Sequence, residues 1–178
     1  KHLEELETYP EIDTGHELID QSVRVGLAHI NATFQGDHPK YGVGYYDQTF
    51  HDGFPPTIIS AVDALTLWGI HSRAKQLFRY WLTHFVNNEG QINYYGASLA
   101  EYGQLLDTAN KLEKRAGGSI WYNDTIKKVD LLAIYVVNLY KSEKKNQGLI
   151  SGVPEADQRG EPGYYFHNNA WVSKGLKK

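Results

Sequence analysis

The stretch that decides the fold is Pro55-Pro-Thr-Ile-Ile-Ser-Ala-Val-Asp-Ala-Leu-Thr-Leu-Trp-Gly69, followed almost at once by Ser72-Arg-Ala-Lys-Gln-Leu-Phe-Arg-Tyr-Trp-Leu-Thr-His-Phe85. After the proline pair, Ile58, Ile59, Ala61, Val62, Ala64, Leu65, Leu67 and Trp68 make the first segment apolar almost all round, and Gly69 is a natural residue to stop a helix. This predicts a buried helix over 57–68. The second segment sets Ala74, Leu77, Phe78, Trp81, Leu82 and Phe85 on one stripe and leaves Arg73, Lys75 and Arg79 off it. That pattern predicts an amphipathic helix over 72–87 with one wet face, and Trp68, Phe78, Trp81 and Phe85 as core. The minimal connection from Gly69 to His71 makes the two an αα-hairpin.

The same signals recur on either side. Thr14-Gly-His-Glu17 has the form of a capping box, and Ile19, Val23, Leu27 and Ile30 follow at helical steps, predicting a helix over 17–33. Ser98-Leu-Ala-Glu101 is a second such box, opening a helix over 99–116 that carries Tyr102, Leu105, Leu106, Ala109 and Leu112. Ile126, Val129, Leu132, Val136, Val137 and Tyr140 point inward from a helix over 125–141, and Trp171 and Leu176 belong to a sixth over 169–178. No segment sustains the period-two alternation of a half-buried strand. The fold class is all-α.

The starts near Glu17, Ser72 and Thr125 are almost evenly spaced, which reads as a repeat of helix pairs. Long connections (34–55, 88–97 and 146–168) alternate with tight ones, and in consecutive antiparallel helices every second connection falls at the same end. One rim should therefore collect Asp47, Asp52, Tyr94, Glu155, Asp157 and His167.

Composition removes several classes of function. The 178 residues carry 18 Lys plus Arg against 21 Asp plus Glu, a net charge of −3 without a basic block, so nothing marks a nucleic-acid or anionic-membrane surface. The longest purely apolar run, Leu131 to Val137, is far shorter than the roughly 18 residues a membrane span needs. Without cysteine there is no disulfide, thiolate metal site or cysteine nucleophile. The histidines form no i, i+4 pair with a third ligand nearby, so no metal is expected, and no glycine-rich phosphate loop or serine elbow calls for a cofactor or a serine nucleophile. The chain opens on Lys1 and closes on what reads as a helix just starting, which suggests part of a longer chain.

Two loops concentrate chemistry. Gly148-Leu-Ile-Ser-Gly-Val-Pro-Glu-Ala-Asp-Gln-Arg-Gly-Glu-Pro-Gly-Tyr-Tyr-Phe-His-Asn-Asn169 crowds three carboxylates, an arginine, a histidine, an asparagine pair and aromatics ahead of a helix. Glycosidic cleavage needs a carboxylic acid to protonate the leaving oxygen and a carboxylate to activate water or attack carbon, so Glu155 or Asp157 suits the acid. The same carboxylates also suit a solvated loop or a helix cap. In Tyr45-Tyr-Asp-Gln-Thr-Phe-His-Asp52, Asp52 suits sugar hydroxyls and equally suits capping the helix that follows. Tyrosine and tryptophan in loops suit stacking on sugars as well as plain packing.

Three places carry a resemblance to a known family: Tyr45-Tyr46 through Phe50-His-Asp52 into an apolar helix, Gly96-Ala-Ser-Leu-Ala-Glu-Tyr-Gly-Gln-Leu-Leu106, and Gly148-Leu149 through Glu155, Asp157 and Tyr164-Tyr-Phe-His-Asn-Asn169 into Trp171. In these the chain resembles the six-hairpin glycosidases, the (α/α)6 toroid group that includes glucoamylase-like and trehalase-like enzymes. The resemblance implies that the six helices are about half of a toroid, and that the partners are a carbohydrate substrate and the remainder of the toroid. It places the general acid at Glu155, with Asp157 close behind, and sugar binding at Asp52. Tyr45, Tyr46, Asp47, His51, Tyr94, Arg159, Tyr165, His167 and Asn168 would then line the pocket. The general base of the family lies near its last hairpin, beyond this chain. Where glucoamylases have Arg before the sugar-binding Asp, this chain has His51. The implied reaction is inverting hydrolysis. A non-catalytic carbohydrate-binding module of the same fold is the alternative, followed by a polysaccharide lyase.

Overall fold

A computed structural model of the protein describes residues 9–40, 51–94, 96–117, 123–143, 148–155 and 160–177. The described residues are mostly helical. Helix α1 (Glu17–Ala32) leads into a hairpin of two short strands, β1 (Phe34–Gln35) and β2 (His38–Pro39), and then a single 3-10 turn (His51–Gly53). Helices α2 (Pro55–Leu67), α3 (His71–Phe85), α4 (Leu99–Ala116), α5 (Asn123–Ser142) and α6 (Phe166–Leu176) complete the order. The hairpin corrects the expectation of no strand: Phe34 pairs with Pro39 and Gln35 with His38, antiparallel, around Gly36 at φ 66°. Two residues per strand are too few for an alternating pattern to register.

Local chemistry accounts for the helix ends. Pro55 and Pro56 occupy the first turn of α2, where a missing N–H costs nothing. Its C-terminus closes in a Schellman motif: Gly69, at φ 75°, donates to the Thr66 carbonyl at 3.3 Å and Ile70 to that of Leu65 at 2.8 Å. Ser98 and Glu101 form the expected capping box on α4, with the Ser98 N–H donating to Glu101 Oε2 at 2.7 Å. At α1 the expected box is replaced. The N-cap is His16, and it is Asp20, not Glu17, that reaches back, accepting from the Thr14 N–H at 3.0 Å and its hydroxyl at 2.7 Å.

Helix α4 sits between α2 and α6, while α3 and α5, in contact with one another, also pack on it. Ile58, Val62, Leu65, Leu77, Phe78, Trp81, Leu82, Leu105, Leu112, Leu132 and Val136 fill the shared core. Helices α4 and α6 approach backbone to backbone: a Cβ on Gly103 would run into the Trp171 backbone, and one on Gly175 into the Gly103 carbonyl. Several expected core positions lie outside. Leu67 and Trp68, at the end of α2, are exposed, as are Ile19, Ile126 and Tyr140, because α1 and α5 are each covered along a narrow stripe only. Lys75, expected on the wet face of α3, is instead buried. No described helix is long and apolar enough to cross a membrane.

Candidate functional site

Asp52 lies in the 3-10 turn just before α2 and is 2% exposed. The N-cap of α2 is Phe54, so Asp52 does not cap that helix. Its Oδ2 takes two donors delivered by the hairpin: His38 Nε2 at 2.8 Å and Lys40 Nζ at 3.2 Å. A carboxylate can only accept, so Nε2 carries the proton. In the neutral ring Nδ1 is then the acceptor for the Tyr80 hydroxyl, 3.1 Å away on α3. Tyr80, His38 and Asp52 thus form one hydrogen-bonded chain, and among the described residues no donor reaches Asp52 Oδ1. Gly53 lets the turn sit against α3, since a Cβ there would meet the Phe85 ring.

Three connections meet at this end of the molecule. His51 and Phe54 from the first pack on Tyr94 of the second, with ring centroids 6.2 and 5.5 Å apart. In the third, Gly152 lies against Leu99, the first residue of α4. Glu155 is exposed on that third loop. The residues after it anchor the loop to α6. His167 Nε2 is 2.8 Å from the Pro154 carbonyl, and Asn168, wholly buried, donates to that of Val153 at 2.8 Å. Tyr165 donates to the Glu161 carbonyl at 3.0 Å, and a two-way bridge joins Gly152 to Gly163. Tyr94 and Asn168 are therefore packed inside the rim instead of projecting from it. Tyr45, Tyr46, Asp47, Asp157 and Arg159 lie outside the described residues.

His38 and Lys40, the partners of Asp52, and Tyr80, the partner of His38, are residues that the sequence reading missed. The one local signal was Gly36-Asp37 between Phe34-Gln35 and His38-Pro39, a turn dipeptide flanked by strand material.

A second polar cluster joins α2, α4 and α6 around a groove of about 320 Å³. Lys111 Nζ is 2.7 Å from Asp63 Oδ2 and 3.0 Å from Asp107 Oδ2, and Lys174 Nζ is 2.9 Å from Asp107 and 4.5 Å from the centre of the Trp171 ring. Burial opposes ionisation of Asp107 and is the largest single influence, but Lys174 and Lys111 together outweigh it and hold the carboxyl below the usual carboxylate value. Burial also works against the Lys111 ammonium, and Asp63 and Asp107 outweigh it, holding that group above its usual value.

The chain matches no family model, no curated protein and no solved structure. Function has to be argued from the site. Among the described residues no three His, Asp or Glu side chains are grouped to hold a metal ion.

Proposed function

We propose that this chain is the sugar-binding and acid-donating part of an inverting glycoside hydrolase built as an (α/α) toroid. The observation that carries the reading is Asp52: a buried carboxylate at the rim, fixed through Oδ2 by His38 and Lys40. A carboxylate held this way is pre-oriented to accept sugar hydroxyls through its other oxygen, with no cost of ordering on binding. Helix α4 lying between α2 and α6, with α3 and α5 packed beside them, fits the inner and outer helices of a toroid. Meeting of the three connections at one end fits a single elaborated rim.

In this reading Glu155, exposed on the third connection, protonates the leaving oxygen, with Asp157 the neighbouring alternative. Asp52 holds the sugar that is cleaved off. Inversion requires a second carboxyl group about 6.5–9.5 Å away to activate water on the opposite face, and the proposal assigns that base to the remainder of the toroid.

The test pairs oligosaccharide binding by this chain, followed by ligand-observed NMR, with hydrolysis by the natural full-length protein. E155Q in the full-length protein is expected to lower turnover by about 100-fold or more while leaving sugar binding intact. D52N is expected to weaken binding in both, and the first anomer released should have inverted configuration. Binding without turnover in the full-length protein would replace the reading by a carbohydrate-binding module. An unsaturated product would replace it by a lyase, and wild-type turnover in E155Q would remove Glu155 from the acid's role.

A further inference from the structure

Lys75 sits on α3 with 7% of its surface exposed, and it lines an open cavity of about 610 Å³ on the outer side of that helix. Such a volume lies within the range of about 300–1,000 Å³ typical of small-molecule sites. The charges around it are matched except for one. Asp37 takes Arg73 Nη1 at 2.6 Å and the Gln76 amide at 3.0 Å, and Asp124 takes both Nε and Nη2 of Arg79, at 3.0 and 2.8 Å. Lys75 is the cation left over: among the described residues no carboxylate or carbonyl receives its ammonium. Burial of the side chain lowers the pKa of this amine from its ordinary value.

The rest of the wall is polar and flat. Tyr80 and His84 stack with ring centroids 3.8 Å apart and planes 17° from parallel, and Ser72, Gln76 and Thr83 add hydroxyl and amide groups. An aromatic pair beside hydroxyls suits a pyranose ring, whose C–H groups pack on the outer side of the pair while its hydroxyls hydrogen-bond. One uncompensated ammonium suits one negative charge. A phosphate dianion would bring a second negative charge that Lys75 alone does not balance, since the Arg79 guanidinium is already paired with Asp124.

We propose that this cavity binds a sugar acid of the hexuronate class, with its carboxylate on Lys75 and its ring beside Tyr80 and His84. The inference does not rest on the rim reading, and Lys75 takes no part in the hydrolysis proposed above.

Amide NMR titration with glucuronate, galacturonate, glucose and inorganic phosphate tests it. The uronates should shift resonances along Ser72–His84 and saturate with a dissociation constant on the order of millimolar. Neither glucose nor phosphate should do so, and K75M should weaken the uronates at least about tenfold, the loss of a charge-assisted contact. In ¹³C-lysine-labelled wild-type protein the Lys75 Cε signal should move on adding uronate, a readout that holds even if K75M does not fold. Unchanged uronate binding by a folded K75M, an unmoved Cε signal, or equal binding of glucose or phosphate would overturn the proposal.

Discussion

Tyr102 takes a hydroxyl into the core, where it accepts from the backbone N–H of Ile92 at 3.1 Å. Its ring stacks on Tyr135 with centroids 5.1 Å apart, and burial pushes the phenol far above its ordinary pKa. Removing that oxygen by Y102F keeps the packing and strands a buried N–H, so stability should fall by about 1–3 kcal/mol. Urea unfolding at neutral pH measures it, and a variant as stable as wild type would mean the amide finds another acceptor. Residues like this are only half legible in a sequence. The stripe of Tyr102, Leu105, Leu106 and Ala109 announces an inward face, but nothing local says which amide, ten residues back, meets the hydroxyl. Asp52 is the same case with higher stakes. Its place before α2 is readable, whereas the His38 that holds it arrives on a strand pair too short to carry a pattern, and Lys40 just after it.

Helices are legible because their core-facing spacing repeats, which is why α2, α3 and α4 lie over the stretches where apolar residues recur at helical steps. The way helices meet is set by the residues that are not there. Gly103 of α4 leaves room for the Trp171 backbone, and Gly175 of α6 for the Gly103 carbonyl, so the pair packs backbone to backbone. G103A must push α6 away or strain the contact, at an expected cost of about 1–3 kcal/mol. Gly26 of α1 provides the opposite sign. A Cβ there meets nothing within 4 Å, and its backbone is helical, so G26A should stabilise by roughly 0.5–1 kcal/mol through helix propensity. Thermal and urea unfolding of the two variants side by side checks both. A G103A protein as stable as wild type would show that α4 and α6 stand further apart than this packing requires. The exposure of Ile126 and Tyr140 has a related cause: a helix covered on one side needs only a narrow stripe, and a hydrophobic pattern wider than that stripe leaves some of its members in water.

At the scale of the whole molecule, the ion pairs Asp63–Lys111, Lys111–Asp107 and Asp107–Lys174 tie α2, α4 and α6 together through side chains that sequence spacing alone could pair only within α4. The network makes stability depend on pH in two separate windows. The Asp107 carboxyl is held below its ordinary value near 3.8, so its contribution is complete above that pH and is lost as pH falls through the lower folded value. The Lys111 ammonium is held above its ordinary value near 10.5, so its contribution is complete below that pH and is lost as pH rises through the higher folded value. D107N should therefore flatten the acid limb of a stability-against-pH curve, and K111M the alkaline limb. Lys111 and Lys174 are each partly in water, so concentrated salt should shrink both effects. Chemical unfolding across both pH ranges, in low and high salt, tests this. An acid limb in D107N as steep as in wild type would move the controlling carboxylate elsewhere. The joint between the three helices would then rest on apolar packing, with Gly103 and Gly175 setting the approach of α4 to α6.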